Sequence, residues 1–148
     1  MARRVLLTLA FVAAAIAATQ ASATSAGDAR VDGQRVLFPA NCRKLVYKPA
    51  RIIVSCADAN FTIQEISWRS WTNGRAVGTG TARVNDCTPD CAQGTFQTYP
   101  VRVTLSTPKQ CRSGKPLQFV RIATTFTAAR PAGFPRNDRL FYGCGFSS

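Results

Sequence analysis

The sequence contains no histidine, and Glu65 is its single glutamate. Histidine is the commonest general base and a member of the Ser-His-Asp and Cys-His catalytic sets, so those sets cannot exist here. The same absence argues against zinc, because the cysteines would lack further ligands. None of the lysines has the motif of a Ser-Lys pair. The sequence therefore favours a protein that is not an enzyme and has no cofactor.

Beyond the N-terminal region, the chain also lacks any segment with the length and apolar period of a helix. Apolar residues instead recur with a period near two. Val101, Val103 and Leu105 share one face of a segment whose other face carries Arg102 and Thr104, which is typical of a half-buried strand. The fold class predicted is all-β, a small disulfide-stapled β-sandwich or barrel of about seven strands.

The N-terminus has the features of a secretory signal peptide. Arg3 and Arg4 precede a mostly apolar run, and Ala21-Ser22-Ala23 supplies the small residues of a cleavage site. The run is short for a membrane span, which needs about 20 apolar residues, so an uncleaved anchor is the weaker interpretation. No later segment is apolar enough to cross a membrane. The sequence predicts a secreted protein with a signal peptide (1–23), a flexible leader (24–35) and one β domain (36–148).

Six cysteines lie in the part predicted to be exported: Cys42, Cys56, Cys87, Cys91, Cys111 and Cys144. An even number in an oxidising compartment predicts three disulfides. Two of the cysteines belong to the stretch Asn85–Gly94, which lies between predicted strands. Thr88-Pro89-Asp90 inside its C-x3-C motif is typical of a turn, so this stretch is interpreted as a loop fastened by its cysteines.

Three local patterns refine the strand prediction. The apolar face switches at Gln64-Glu65, which indicates a β-bulge. Asn73-Gly74 predicts a hairpin turn. In the strand after this turn, small residues at every second position leave one face bare. Either Trp68 or Trp71 covers that face, which is the favoured interpretation, or the two tryptophans and the bare face form a ligand-binding groove.

Residues 49–126 resemble small secreted proteins of actinomycete-type bacteria, through the W-x-x-W motif of Trp68 and Trp71 followed by N-D-C-T-P-D-C. The resemblance implies secretion and disulfides but no particular activity. Its recurrent cysteines match Cys56, Cys87, Cys91 and Cys111. The other two lie near the ends of the domain, so we expect a Cys42–Cys144 bond. Proximity to strand ends then favours Cys56–Cys87 and Cys91–Cys111, with Cys87–Cys91 and Cys56–Cys111 as the rival pairing.

Oxygen-bearing side chains accompany these cysteines. A Cys56–Cys87 bond would gather five of them into a candidate calcium site: Asp58, Asn60, Asn85, Asp86 and Asp90. The alternative is that they only cap turns, which is the usual role of Asp and Asn in loops. A calcium-loop motif is missing, so the sequence favours turn capping and no metal.

The net charge is +12, and removal of Arg3 and Arg4 lowers it to +10. Such a charge favours an anionic partner, although the high arginine content also fits a compositional origin. No nucleic-acid motif is present. The function predicted is a secreted cell-envelope binding protein for an anionic polymer or another secreted protein. The alternatives are a hydrolase using Asp58, Asp86 and Asp90, or a protease inhibitor presenting 88–90 or 109–115.

Overall fold

The computed structural model describes residues 30–31 and 34–145. Strands form all the regular structure of these residues, which confirms the all-β prediction. The predicted signal peptide lies outside the described residues. In the described part of the chain, no helix is long and apolar enough to span a membrane. The strands are β1 (Arg30–Val31), β2 (Gln34–Arg35), β3 (Phe38–Pro39), β4 (Leu45–Val46), β5 (Ile52–Ile53), β6 (Phe61–Trp71), β7 (Arg75–Asn85), β8 (Phe96–Lys109), β9 (Gln118–Phe126) and β10 (Asn137–Phe141).

Six strands form one antiparallel sheet in the order β10-β9-β8-β7-β6-β5, a half-barrel in which chain neighbours are also sheet neighbours. Two small sheets, β1-β2 and β3-β4, accompany it. The first of these lies within the predicted leader. Strands β6, β7 and β8 are long, with 11, 11 and 14 residues. Long strands arise because each hairpin partner buries its alternate side chains in the same core.

Strand β8 shows how the alternation builds this core. Val101, Val103 and Leu105 are buried, while Arg102 between them is exposed. In β6 the alternation shifts where expected, because Gln64 pairs with Thr81 but Ser67 pairs with Thr79. Glu65 has a φ of 55° at this point, so the predicted bulge is confirmed. The hairpin predicted at Asn73-Gly74 is also confirmed, since Trp71 pairs with Ala76.

The segment Val36–Ala40 joins the two sides of the half-barrel. On one side, Leu37 exchanges backbone hydrogen bonds with Leu117 and Phe119, at the start of β9, which β10 leaves unpaired. On the other side, the Ile53 amide donates to the Ala40 carbonyl at 2.8 Å. The side chain of Phe38, which lies in this segment, is fully buried. The segment therefore covers the core where the sheet itself does not close.

The disulfides are Cys42–Cys56, Cys87–Cys91 and Cys111–Cys144, so the favoured pairing from the sequence is wrong. The rival pairing was right only for Cys87–Cys91. Topology explains the outcome. Strands β8 and β10 both pair antiparallel with β9, so their ends lie side by side, and Cys111 and Cys144 follow those ends. Cys144 lies in a turn after β10.

Candidate functional site

The two tryptophans singled out by the sequence are committed to packing. Trp71 is buried and its Nε1 donates to the Val36 carbonyl at 2.9 Å, while Trp68 Nε1 donates to the Pro49 carbonyl at 2.9 Å. The Trp68 ring lies over Gly78, where a β-carbon would come within 3.0 Å of Cε3. The Trp68 ring therefore covers the bare strand face at Gly78, as the favoured interpretation predicts, whereas Ile63 and Ile66 cover it at Gly80.

The cysteine loop between β7 and β8 is organised around Asn85. Its Nδ2 donates to Asn60 Oδ1 at 3.0 Å and to the Cys91 carbonyl at 2.8 Å, and its Oδ1 accepts from the Cys87 amide at 3.0 Å. Gly94 lies so close to the side-chain amide of Asn85 that a β-carbon at position 94 would collide with Asn85 Oδ1. The loop is therefore fixed by a buried amide as well as by its disulfide.

The carboxylates near this loop bind its own backbone. Asp86 Oδ1 accepts from the Thr88 and Thr95 amides, and Asp90 Oδ1 accepts from two amides of the turn that follows. Hydrogen bonds from the Asn60 backbone amide and the Ser55 hydroxyl lower the pKa of Asp58 below its usual value near 3.8. Hydrogen bonds to the ionised form explain this direction. Turn capping, the favoured interpretation, is confirmed.

Three of the five side chains meet, because Asn60 Nδ2 donates to Asp58 Oδ2 at 2.7 Å and Asn85 Nδ2 donates to Asn60 Oδ1 at 3.0 Å. Of the three aspartates, only Asp86 borders the nearby cleft of about 310 Å³, which Tyr99 and Phe134 also line. Within residues 30–31 and 34–145, no group of three or more acidic or cysteine side chains could hold a metal ion. The Cys56–Cys87 bond on which the calcium candidate depended does not form, because Cys56 bonds to Cys42 and Cys87 bonds to Cys91.

A larger groove, with a volume of about 490 Å³, lies on the outer face of β7, β8, β9 and β10. The pairing between strands determines which side chains form its floor and walls. In one row across the sheet, Arg75 pairs with Ser106, Ser106 with Arg121, and Arg121 with Phe141. In the next row, Thr104 pairs with Ala123 and Ala123 with Arg139. Short side chains thus alternate with long ones, which leaves a hollow between them.

Three arginines, Arg75, Arg121 and Arg139, form the walls of this basic groove. All three are exposed, and none has an ion-pair partner among the described residues. Because neighbouring strands lie about 4.8 Å apart, Arg75 and Arg121 are anchored roughly 10 Å from each other. No carboxylate side chain lines the groove. The groove is therefore a surface on which positive charge is concentrated and left uncompensated.

Uncharged polar groups and one aromatic ring complete the groove. The hydroxyls of Thr104 and Ser106 make no hydrogen bond within the described part of the chain. Thr125 Oγ1 donates to Asn137 Oδ1 at 2.9 Å, which fixes that amide and leaves its N–H donors free. The Phe141 ring lies 5.6 Å from the Arg121 guanidinium carbon. The groove therefore offers cations, hydrogen-bonding groups and an apolar surface together.

The sequence did not identify this groove, because its arginines are far apart along the chain. Arg121 lies within β9 and Arg139 within β10, so in the sequence each is only an isolated basic residue. The useful signal would have been an arginine on the outer face of several consecutive strands. Only the register between strands shows that these positions are adjacent.

A second basic cleft, of about 310 Å³, lies beside the Cys111–Cys144 disulfide. It is lined by Arg43, Lys44, Arg112 and Lys115 together with apolar side chains. Its cations come from two loops, whereas those of the basic groove stand on three paired strands. The backbone positions of the groove cations are therefore fixed by hydrogen bonds of the sheet.

Comparisons of the chain with protein-family models, with curated proteins and with solved structures found no match. The resemblance to secreted proteins with the W-x-x-W motif therefore stays a prediction. Function has to be inferred from the chemistry of the groove itself.

Proposed function

We propose that the protein is a secreted, non-enzymatic binding protein of the cell envelope that holds an anionic polymer in the basic groove. One observation carries the proposal: Arg75, Arg121 and Arg139 converge on a hollow with no carboxylate to neutralise them. Exposed guanidinium groups bind carboxylate, sulfate and phosphate through paired hydrogen bonds. A polymer bearing such groups can engage all three side chains at once.

The surrounding chemistry supports a binding role. Three disulfides are compatible with an extracellular protein, in agreement with the signal peptide predicted from the sequence. A hydrolase would need carboxylates placed around a substrate, whereas Asp58 and Asp90 are engaged by their own turns and lie outside the cleft that Asp86 borders. These observations favour the basic groove over the three aspartates as the functional site.

The test compares two variants that each lose three positive charges. One carries Arg75→Gln, Arg121→Gln and Arg139→Gln in the groove. The matched control carries Arg51→Gln, Arg69→Gln and Lys109→Gln, all exposed and outside both the groove and the second basic cleft. Binding of polyphosphate and of polygalacturonate is measured by isothermal titration calorimetry at low salt. We expect the groove variant to lose roughly 30-fold in affinity, as three partly exposed ion pairs would give.

The control variant should lose only a few-fold, because its charges act at a distance and are screened by salt. Equal losses in the two variants would mean that binding depends on net charge alone, as the compositional interpretation of the arginines predicts. Raising the salt concentration should weaken wild-type binding steeply. Binding that survives high salt would contradict the proposal.

A further inference from the structure

Phe141 is exposed although it is a large apolar side chain. Its exposed fraction is 62%, and its neighbour Leu140 has 39%. They are the exposed large hydrophobic residues of the described part of the chain. Both lie on β10, which pairs on one side only. Side chains alternate along a strand, so Phe141 shares the outer face with Arg121 and Arg139 while Leu140 projects the other way.

We infer that the ligand of the basic groove is an acidic polysaccharide, and that Phe141 is the residue that recognises its sugar rings. This inference rests on the proposed function and makes it more specific. The arginines pair with carboxylate or sulfate groups on the sugars. The apolar C–H face of one sugar ring packs on the Phe141 ring and is removed from water.

The remaining groups of the groove fit the same ligand. Sugar hydroxyls both donate and accept hydrogen bonds, and the free hydroxyls of Thr104 and Ser106 can do likewise. Asn137 adds N–H donors, which Thr125 holds in place. A polymer of bare anions such as polyphosphate has no apolar face, so it uses the arginines and gains nothing from the aromatic ring.

The groove fits a polysaccharide better than a single-stranded nucleic acid. Proteins that bind single strands stack successive bases on several aromatic rings. In the described residues, the exposed aromatic ring at this face is Phe141 alone, and the Arg121 guanidinium lies beside it. A single ring beside hydroxyl and amide groups suits a polysaccharide. One sugar ring can pack on Phe141 while the neighbouring sugars form hydrogen bonds with the polar groups.

The test measures the dissociation constants of oligogalacturonate, short-chain polyphosphate and oligo(dT) for four proteins. These are the wild type, Phe141→Ser, Phe141→Trp and the matched control Phe96→Ser, whose ring also lies against an arginine, Arg83, but outside the groove. Phe141→Ser should weaken oligogalacturonate binding about fivefold and leave polyphosphate binding unchanged, since one aromatic contact is lost. Phe141→Trp should keep oligogalacturonate binding, and Phe96→Ser should affect neither polymer.

Two results would overturn the inference while leaving the proposed function intact. One is an equal effect of Phe141→Ser on oligogalacturonate and polyphosphate, including no effect on either. The other is a loss confined to oligo(dT), which would assign the ring to a nucleic acid. If the wild-type protein binds none of the three polymers, the proposed function and this inference both fail. Circular dichroism of each variant confirms that the strands are retained.

Discussion

Gly78 lies where the β6–β7 hairpin is most tightly packed. A β-carbon at this position would approach the Ser67 carbonyl oxygen at 2.7 Å and the Trp68 ring at 3.0 Å. The nearest atom belongs to backbone that is paired within the sheet, so it cannot move away cheaply. Trp68 is in turn held by its hydrogen bond to Pro49. Glycine at position 78 therefore permits the indole to seal this end of the core.

We expect Gly78→Ala to lower the free energy of unfolding by about 1–3 kcal/mol, because the added methyl group overpacks the hairpin. Gly74→Ala is the matched control, since nothing lies within 4 Å of a β-carbon in that turn. It should change the free energy by less than about 0.5 kcal/mol. Urea denaturation measures both. Equal effects of the two substitutions would show that the tight contact with Trp68 is not what makes glycine necessary.

At the scale of elements, the sequence predicted strands well but not their neighbours. The segment starting at Phe61 alternates clearly enough to give β6 its full length, and its bulge was visible as a change of face. Two of the disulfides were mispredicted because they join segments whose adjacency depends on the fold, whereas Cys87–Cys91 is local to one loop. Cys111 and Cys144 are 33 residues apart and meet only because β8 and β10 flank β9. No local pattern encodes that adjacency.

The end of β10 is tied to β5 by Tyr142, which was not recognised from the sequence. Its hydroxyl donates to the Ile53 carbonyl at 2.6 Å, and its ring packs on Phe38 with centroids 5.1 Å apart. Burial raises the pKa of Tyr142 above its usual value of 10.0. The folded protein therefore keeps this phenol protonated at a pH where the unfolded chain begins to lose the proton.

The sign of the pH effect follows from linkage. Because the pKa is raised in the folded state, this contribution to stability is fully present below pH 10 and is lost as the pH rises further. Tyr142→Phe removes the titrating group and a hydrogen bond of about 1 kcal/mol. The variant should be less stable than the wild type at neutral pH but should lose less stability between about pH 9 and about pH 11. Parallel declines in urea denaturation would contradict this account.

Across the whole molecule, charge is distributed unevenly. Asp58, Asp86 and Asp90 lie in loops that Asn60 and Asn85 join at one end of the sheet. The basic groove occupies the outer face, and the second basic cleft lies in the loops at the opposite end. Composition alone predicted a cationic protein and an anionic partner. It could not locate the proposed binding surface, since the groove arginines become neighbours only through the pairing of strands β7 to β10.

The most direct test of the central claim is nuclear magnetic resonance mapping of a ligand on the folded protein. Backbone amide shifts of the oxidised protein are followed during titration with oligogalacturonate at low salt. We predict that the largest shifts fall on the floor and walls of the groove, around Thr104, Ala123 and Arg139, and that those of the cysteine loop stay small. Shifts concentrated at the cysteine loop, or spread evenly over all basic residues, would contradict a binding site in the groove.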